Sequence, residues 1–333
     1  MYEFVDSSHA QELDAFVNRH PHGHFMQTSA WGRVKVSWKW TGILCRNEKR
    51  EITGTMAVLC HRVRMTGSSL LYAPRGPIFS DADAFRELIE AANLLAQKHR
   101  AYLLRIDPAI PAANEGFFAL AKALHFRRNA GVDFSLFQPR MCYVTDLRGH
   151  TPQSLLMLYS RSKRYDVKLA QKRGVTAAIG TKADLPAFYA LMQKTAKKNG
   201  FCVAPLAHYE RILTQLDSKL YIARKGEAVI AASIAIVLGK RMWHMYACSD
   251  FAYHADCANE LLQWEMQSDA LSRGCSFFDF RGAEGYPTAD NPKIGLHRYK
   301  QGFGSEFVEY IGQLDLVYRP MMERIILYLQ RFH

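Results

Sequence analysis

No two of the seven cysteines form a C-x-x-C pair, and their number is odd. Cys45, Cys60, Cys142, Cys202, Cys248, Cys257 and Cys275 are scattered along the chain. That speaks against a disulfide framework and against a four-ligand zinc site built on close pairs. No apolar run approaches the length of about 18 residues that a membrane-spanning helix needs. The opening residues, MYEFVDSSHAQELDAF, hold no basic start followed by an apolar stretch. No secretory signal is expected, and a reducing cytoplasm is the expected home. G-x-S-x-G, P-loop, H-E-x-x-H and dinucleotide-binding fingerprints are also missing. Serine-based covalent catalysis and nucleotide hydrolysis lose their main support with them.

What is present is globular in composition: 49% hydrophobic and 22% charged residues in a chain of 333. That length suggests two domains. The net charge is +12. An excess of this sign suits nucleic acid, an anionic membrane surface or a phosphorylated substrate, or it is simply a solvated basic surface.

Periodicity predicts a helix over Ser8–Arg19 capped by Ser8, then strands at Thr41–Cys45, Glu51–Arg62 and Ser69–Tyr72. An amphipathic helix at Asp83–Arg100, a short buried strand at Tyr102–Ile106 and a helix at Ala113–Leu124 follow. The second half repeats the plan. Helices are expected at Pro152–Gly174, Leu185–Asn199 and Leu206–Leu216, and strands at Leu220–Arg224, Ala228–Leu238 and Arg241–Ala247. A helix at Asn259–Arg273, a strand at Ser276–Phe280 and a long irregular loop from Gly282 to Gly304 complete it. The fold class is therefore α/β of the α+β kind: two similar lobes with mixed sheets and a cleft between them.

Four features could carry chemistry. His20, His22 and His24 could suggest a metal cluster, but proline and glycine make this a turn without a nearby carboxylate, so no metal site is expected. Asp107 ends a buried strand just before Pro108, where polar residues line ligand clefts in open sheets or merely cap a turn. Arg161, Arg164, Lys168 and Lys172 recur at helical spacing and form a basic ridge that could follow phosphates or face water. Lys300 lies between Tyr299 and Gly302. A cation there could stabilise the oxyanion of an acyl transfer, or be a surface lysine beside a core aromatic. Gln171-Lys-Arg-Gly174 is a partial match to an acyl-CoA loop, but it follows a helix rather than opening one.

Several segments, in order along nearly the whole chain, resemble the FemABX family of peptidoglycan aminoacyltransferases. They are His24-Phe-Met-Gln27-Thr-Ser-Ala-Trp31-Gly-Arg-Val-Lys35, Tyr72-Ala-Pro-Arg75-Gly76-Pro77, Leu104-Arg-Ile-Asp107-Pro108 and Lys172-Arg-Gly174-Val175. Further on come Tyr246-Ala-Cys-Ser249, Leu262-Gln-Trp264-Glu265-Met266, Phe280-Arg-Gly282, Tyr299-Lys300-Gln-Gly302-Phe303-Gly304 and Tyr310-Ile-Gly312. The resemblance implies two tandem GNAT-like lobes, residues 1–144 with 312–333 for the precursor and 145–311 for the aminoacyl-tRNA. It implies transfer of an amino acid from aminoacyl-tRNA, as co-substrate and with no other cofactor, to a free amine on a nucleotide- or lipid-linked peptidoglycan precursor. Transient contact with the inner membrane surface goes with the lipid-linked form. The helical arm of some members is absent, as in the short, FemX-like ones. By matched motif, Lys35 resembles a diphosphate contact and Asp107 a carboxylate near the acceptor amine. Tyr209 resembles a residue lining the precursor site, Tyr246 lies in the motif before the long helix as a further substrate-binding residue, Lys300 resembles the lysine that steadies the tetrahedral intermediate, and Tyr299 its aromatic neighbour. Short members carry an arginine four residues before the position of Tyr209, where this chain has Pro205. A different acceptor on the same fold, or a non-catalytic tRNA- or membrane-binding protein, remain the alternatives.

Overall fold

A computed structural model describes residues 1–64, 66–129, 131 and 137–330. The chain divides into two compact units, Met1–Arg140 with Glu309–His333, and Met141–Val308. Its elements run β1 (Tyr2–Val5), α1 (Gln11–Arg19), α2 (Ser29–Val34), β2 (Lys39–Arg46), β3 (Ile52–Arg62), β4 (Ser69–Ala73), β5 (Ile78–Phe79), α3 (Ala82–Lys98), β6 (Ala101–Ile106), α4 (Glu115–Ala123) and β7 (Arg127–Asn129). They continue β8 (Met141–Asp146), α5 (Pro152–Leu158), α6 (Arg161–Lys172), β9 (Val175–Ile179), α7 (Leu185–Asn199), α8 (Leu206–Gln215), β10 (Ser218–Lys225), β11 (Ala228–Leu238), β12 (Arg241–Ser249), α9 (Ala258–Ser272), β13 (Phe277–Gly282), α10 (Ile294–Gln301), β14 (Glu306–Glu309), β15 (Gln313–Val317) and α11 (Pro320–Gln330).

In the first unit the sheet order is β1-β2-β3-β4-β6-β15-β7, with β5 beside β3. The only parallel pairing in that sheet among the described residues joins β4 to β6, with α3 as the crossover. Asp81 caps α3 by accepting from Ala84 N, and Phe85, Leu88, Ile89, Ala92 and Leu95 all face the core. In the second unit the order is β14-β8-β13-β12-β11-β10-β9. There β12 and β13 run parallel, with α9 as the crossover. Leu261, Leu262, Met266 and Ala270 of α9 are buried against that sheet's core. Each unit thus repeats strand, helix, parallel strand in a mixed sheet, and β15 and α11 rejoin the first unit through β6.

Four sequence expectations are corrected. Ser8 does not cap α1: its amide and hydroxyl both bond Asp6 Oδ1, and the helix opens at Gln11 without a side-chain cap. The expected helix over Pro152–Gly174 is two helices. Tyr159 turns extended and Ser160 caps the second by accepting from Lys163 N. Glycines at 282, 285, 295, 302 and 304 suggested an irregular loop, yet residues 294–301 form α10. Tertiary anchors explain it: His297 is buried, with Nδ1 2.8 Å from Tyr143 Oη and Nε2 3.0 Å from Glu284 O. Strand β8 opens at Met141 and pairs with β13, so residues 141–144, expected in the first lobe, lie in the second unit. Among the described residues no helix is long and apolar enough to cross a membrane.

Candidate active site

The second unit's parallel pair makes a cavity. β12 and β13 are bonded only from Arg241–Trp243 to Phe277–Asp279, and then they part. Each strand is irregular at that level. The β12 register slips against β11 between Tyr246 and His244. The β13 register slips against β8 between Asp279 and Gly282, with Arg281 at φ 62°. Bulges bend and twist strands and re-aim side chains. The result is a cavity of about 320 Å³ walled by His244, Tyr246, Gln263, Arg281, Tyr299 and Lys300.

Lys300 is buried on α10, and its ammonium donates to Phe280 O (2.9 Å), Arg281 O (3.1 Å) and Gly282 O (2.5 Å). These are carbonyls at the bulged end of β13. An ammonium has three protons, and all three are used. Burial pushes its pKa down to about 8, so it remains mostly cationic at neutral pH. The glycines around this lysine suggest a pliable loop that approaches a ligand. It stands instead as a fixed positive charge in the cavity wall. Beside it, burial first and the Lys300 charge second push His244 down to about 3, so the imidazole is neutral. The Gln263 amide nitrogen, 3.1 Å from His244 Nδ1, can only donate, so Nε2 keeps the proton and donates to Ser233 Oγ at 3.1 Å.

Tyr246 joins the cavity to α8. Its hydroxyl lies 3.0 Å from His208 Nε2, and its ring meets Tyr209 edge-on at 5.1 Å. Burial raises the Tyr246 pKa, so the phenol remains a neutral donor. The Lys163 ammonium sits over the Tyr299 ring, 4.8 Å from its centroid, and the Phe303 ring meets Tyr299 edge-on at 5.1 Å. Lys163 also pairs with Asp166 and Glu260 at 3.0 and 2.7 Å, tying α6 to the first turn of α9. Arg161, Arg164, Lys168 and Lys172 all lie on α6. Arg161, Lys168 and Lys172 are exposed, while Arg164 is half-buried and donates to Tyr159 O at 2.9 Å.

The first unit holds Asp107 and Lys35. Asp107 follows β6 and is fully buried, accepting from the Tyr72 hydroxyl at 2.6 Å and from Arg75 N at 2.5 Å. Burial raises its pKa to about 6 against the opposing pull of Arg75 and those donors. Arg75 adopts φ 56°, donates to Pro139 O at 2.6 Å and rests on the Tyr310 ring. Lys35 ends α2, lies 5.0 Å from the Trp31 ring centroid, and has its pKa lowered by burial. Gln27 connects two of the family-like motifs. Its amide accepts from Ala57 N and donates to Pro74 O at 2.9 Å each.

Tyr209, Tyr246, Tyr299 and Lys300, far apart in the chain, therefore converge in the second unit. Asp107 and Lys35 lie in the first unit on separate elements. Sequence reasoning missed His208, His244, Gln263 and Arg281. Three of the four had a signal: His208 adjoins Tyr209, and Gln263 and Arg281 sit inside family-like motifs. Among the described residues no cluster of three His, Cys, Asp or Glu side chains could hold a metal ion. His20 and His24 instead accept the backbone amides of His22 and Met26.

The model of the FemAB family matches residues 9–117, 128–224 and 219–331. A lipid II:glycine glycyltransferase of Staphylococcus saprophyticus is 25% identical over 389 aligned residues, covering 95% of this chain and 93% of that protein. Among solved structures, FemX superposes with a TM-score of 0.88 at 22% identity, covering 98% of this chain and 99% of FemX. A tandem GNAT protein from the clavulanic acid biosynthesis pathway gives 0.59 at 13%, covering 95% and 98%. At these identities the two structural likenesses speak for the fold, which is that of tandem GNAT units.

Proposed function

This chain belongs to the FemAB family, and from that premise we propose that it is an aminoacyltransferase of peptidoglycan synthesis, joining an amino acid to a free amine on a precursor peptide during formation of the interpeptide bridge. The donor in this reading is aminoacyl-tRNA, and the acceptor is the lipid-linked precursor. Two observations support the lipid-linked form: the name of the similar staphylococcal enzyme, and Pro205 where short members carry an arginine. Both substrates would be met in the cytoplasm, with the exposed cations of α6 facing the RNA.

The observation that carries the chemistry is the buried ammonium of Lys300 in the splayed-strand cavity. An aminoacyl ester is already activated. The acceptor nitrogen attacks the ester carbon, the C–N bond forms, the bond to the ribose oxygen breaks, and the amine proton ends on the ribose hydroxyl. Negative charge passes through the former carbonyl oxygen. Lys300 has no proton to spare, so it acts through its field, which is strong where water is scarce. Tyr246 offers a neutral hydroxyl on the same wall. Asp107, with a pKa near neutrality, suits the acceptor amine's proton. The test is incubation with a panel of aminoacyl-tRNAs and with lipid-linked or nucleotide-linked precursor, read by the mass of the product. A mass gain of one aminoacyl group is expected, and none with any acceptor would refute the reading.

A further inference from the structure

One end of the first unit's sheet carries charge of a single sign. Lys39 opens β2, Arg62 closes β3, and Arg64 lies in the turn to β4. Lys98 and Arg100 lead from α3 into β6, and Arg319 follows β15. Strand register puts all six at the same end. Lys39 pairs with Cys60, Arg62 with Ser69, Ser69 with Ala101, and Val317 with Leu103. The five strands are consecutive neighbours, β2-β3-β4-β6-β15. At about 4.8 Å between neighbours, the row of strand ends is about 19 Å wide. Hydrogen bonds join its loops: Ser69 N donates to Arg100 O, and Arg319 Nη1 to Ser68 Oγ, each at 3.3 Å.

No Asp or Glu occurs in residues 35–39, 60–69, 97–101 or 317–322, the segments that build this end. Lys39, Arg62, Arg64, Lys98 and Arg100 are exposed and Arg319 is half-buried. Among the described residues none of the six pairs with a carboxylate. The charges of Lys39 and Lys98 both reach His99, whose pKa is lowered by burial first and by those two cations second. The opposite end of β2 and β3 is different. There Arg46 pairs with Glu3 and Glu12, and the turn holds Glu48 and Glu51 beside Lys49 and Arg50. A surface that only meets water is served by that mixture of signs. A row of six cations repels itself, and an anionic partner relieves it. Two aliphatic side chains flank the row, Val36 at 67% and Met321 at 79% exposure.

We propose that this end of the first unit docks on an anionic bilayer, with the six cations among the phosphate headgroups and Val36 and Met321 reaching the acyl boundary. Charge complementarity calls for an anionic partner. The aliphatic tips select a bilayer over RNA, because a lipid surface can bury them and a row of phosphates cannot. Docking would bring the enzyme to a lipid-linked acceptor, but it does not depend on transfer and is measured without either substrate.

The experiment is co-sedimentation of the full chain with vesicles of phosphatidylcholine containing phosphatidylglycerol, against phosphatidylcholine alone. Binding to the anionic vesicles is expected, and much weaker binding to the neutral ones. At about fivefold per cation near the surface, Arg62→Ala with Arg64→Ala and Lys98→Ala should lower partitioning by about a hundredfold. All three side chains are exposed, so the fold should survive, as circular dichroism would verify. Lys49→Ala, which removes a cation from the opposite end of β2 and β3, should change partitioning by less than about twofold, since a charge outside the contact is screened beyond a Debye length. Equal binding to both vesicle types, no binding, a triple variant that binds like the native chain, or a Lys49→Ala loss as large as that per cation in the triple variant would overturn the proposal. So would a triple variant that loses tRNA binding while vesicle binding stays intact, since the row would then belong to RNA.

Discussion

Replacing Lys300 with methionine removes a charge from the cavity while keeping most of the side-chain volume. Two stability effects oppose each other. Phe280 O, Arg281 O and Gly282 O lose their donor, at a cost of about 1–3 kcal/mol, softened by water entering from the adjoining cavity. Against that, burial has moved the lysine from its ordinary 10.5 to about 8. The folded state therefore disfavours this charge by about 3 kcal/mol, and methionine relieves it. The variant should fold with stability within about 2 kcal/mol of the native chain. Turnover should not survive so well. A unit charge about 4 Å from a developing oxyanion is worth about 4 kcal/mol at an effective dielectric of about 20. Only the part absent from the ground state counts, so single-turnover transfer should slow by about 10²–10³.

The pH dependence separates the roles. Between about pH 8 and 10.5 the unfolded chain holds the Lys300 proton and the folded one has lost it, so stability rises with pH across that window. Transfer needs the cation and should fall above pH 8, after subtraction of spontaneous ester hydrolysis. Activity and stability thus move oppositely in the native chain, and both limbs vanish in Lys300→Met. A variant that transfers at the native rate, or that keeps the alkaline limb, would refute the reasoning.

Asp107→Asn should slow transfer and remove an acid limb near pH 6. Because the folded carboxyl titrates above its ordinary range, the native protein should also lose stability as pH rises from about 4 to 6, and the variant should not, as chemical denaturation across that range would report. Alanine at Arg161, Lys168 and Lys172 should flatten the log–log salt dependence of tRNA binding by about 0.7–0.9 for each phosphate the protein no longer neutralises; an unchanged slope would make α6 a solvated face. Gly76→Ala should destabilise by about 1–3 kcal/mol in urea melts, because a Cβ there would lie 2.2 Å from the Gln27 amide carbon. Gln27→Ala should cost a similar amount, by orphaning Ala57 N–H and Pro74 C=O.

Elements with a clear apolar period were legible: α3, β2, β3 and β11 lie within two residues of their expected bounds. What failed was local chemistry overruled by distant partners. Glycines pointed to a loop at 282–304, but the burial of His297 and Lys300 holds a helix there. Ser8 had the right chemistry for a cap and was taken by Asp6. Strands β1, β7, β14 and β15 are short or half-exposed, and carry little periodic signal of their own. The motifs pointed to Tyr246, Tyr299 and Lys300. The splay that unites them comes from register slips in two sheet pairings, which no single segment encodes. That Lys300 spends its protons on backbone carbonyls is likewise a property of the folded β13 end, invisible in the motif.

The central claim is aminoacyl transfer at the Lys300 cavity, and the most direct measurement is product mass after incubation with charged tRNA and lipid-linked precursor. The precursor should gain one aminoacyl group with the native chain, and far more slowly with Lys300→Met. No gain from any aminoacyl-tRNA, or equal gain with both proteins, would contradict it.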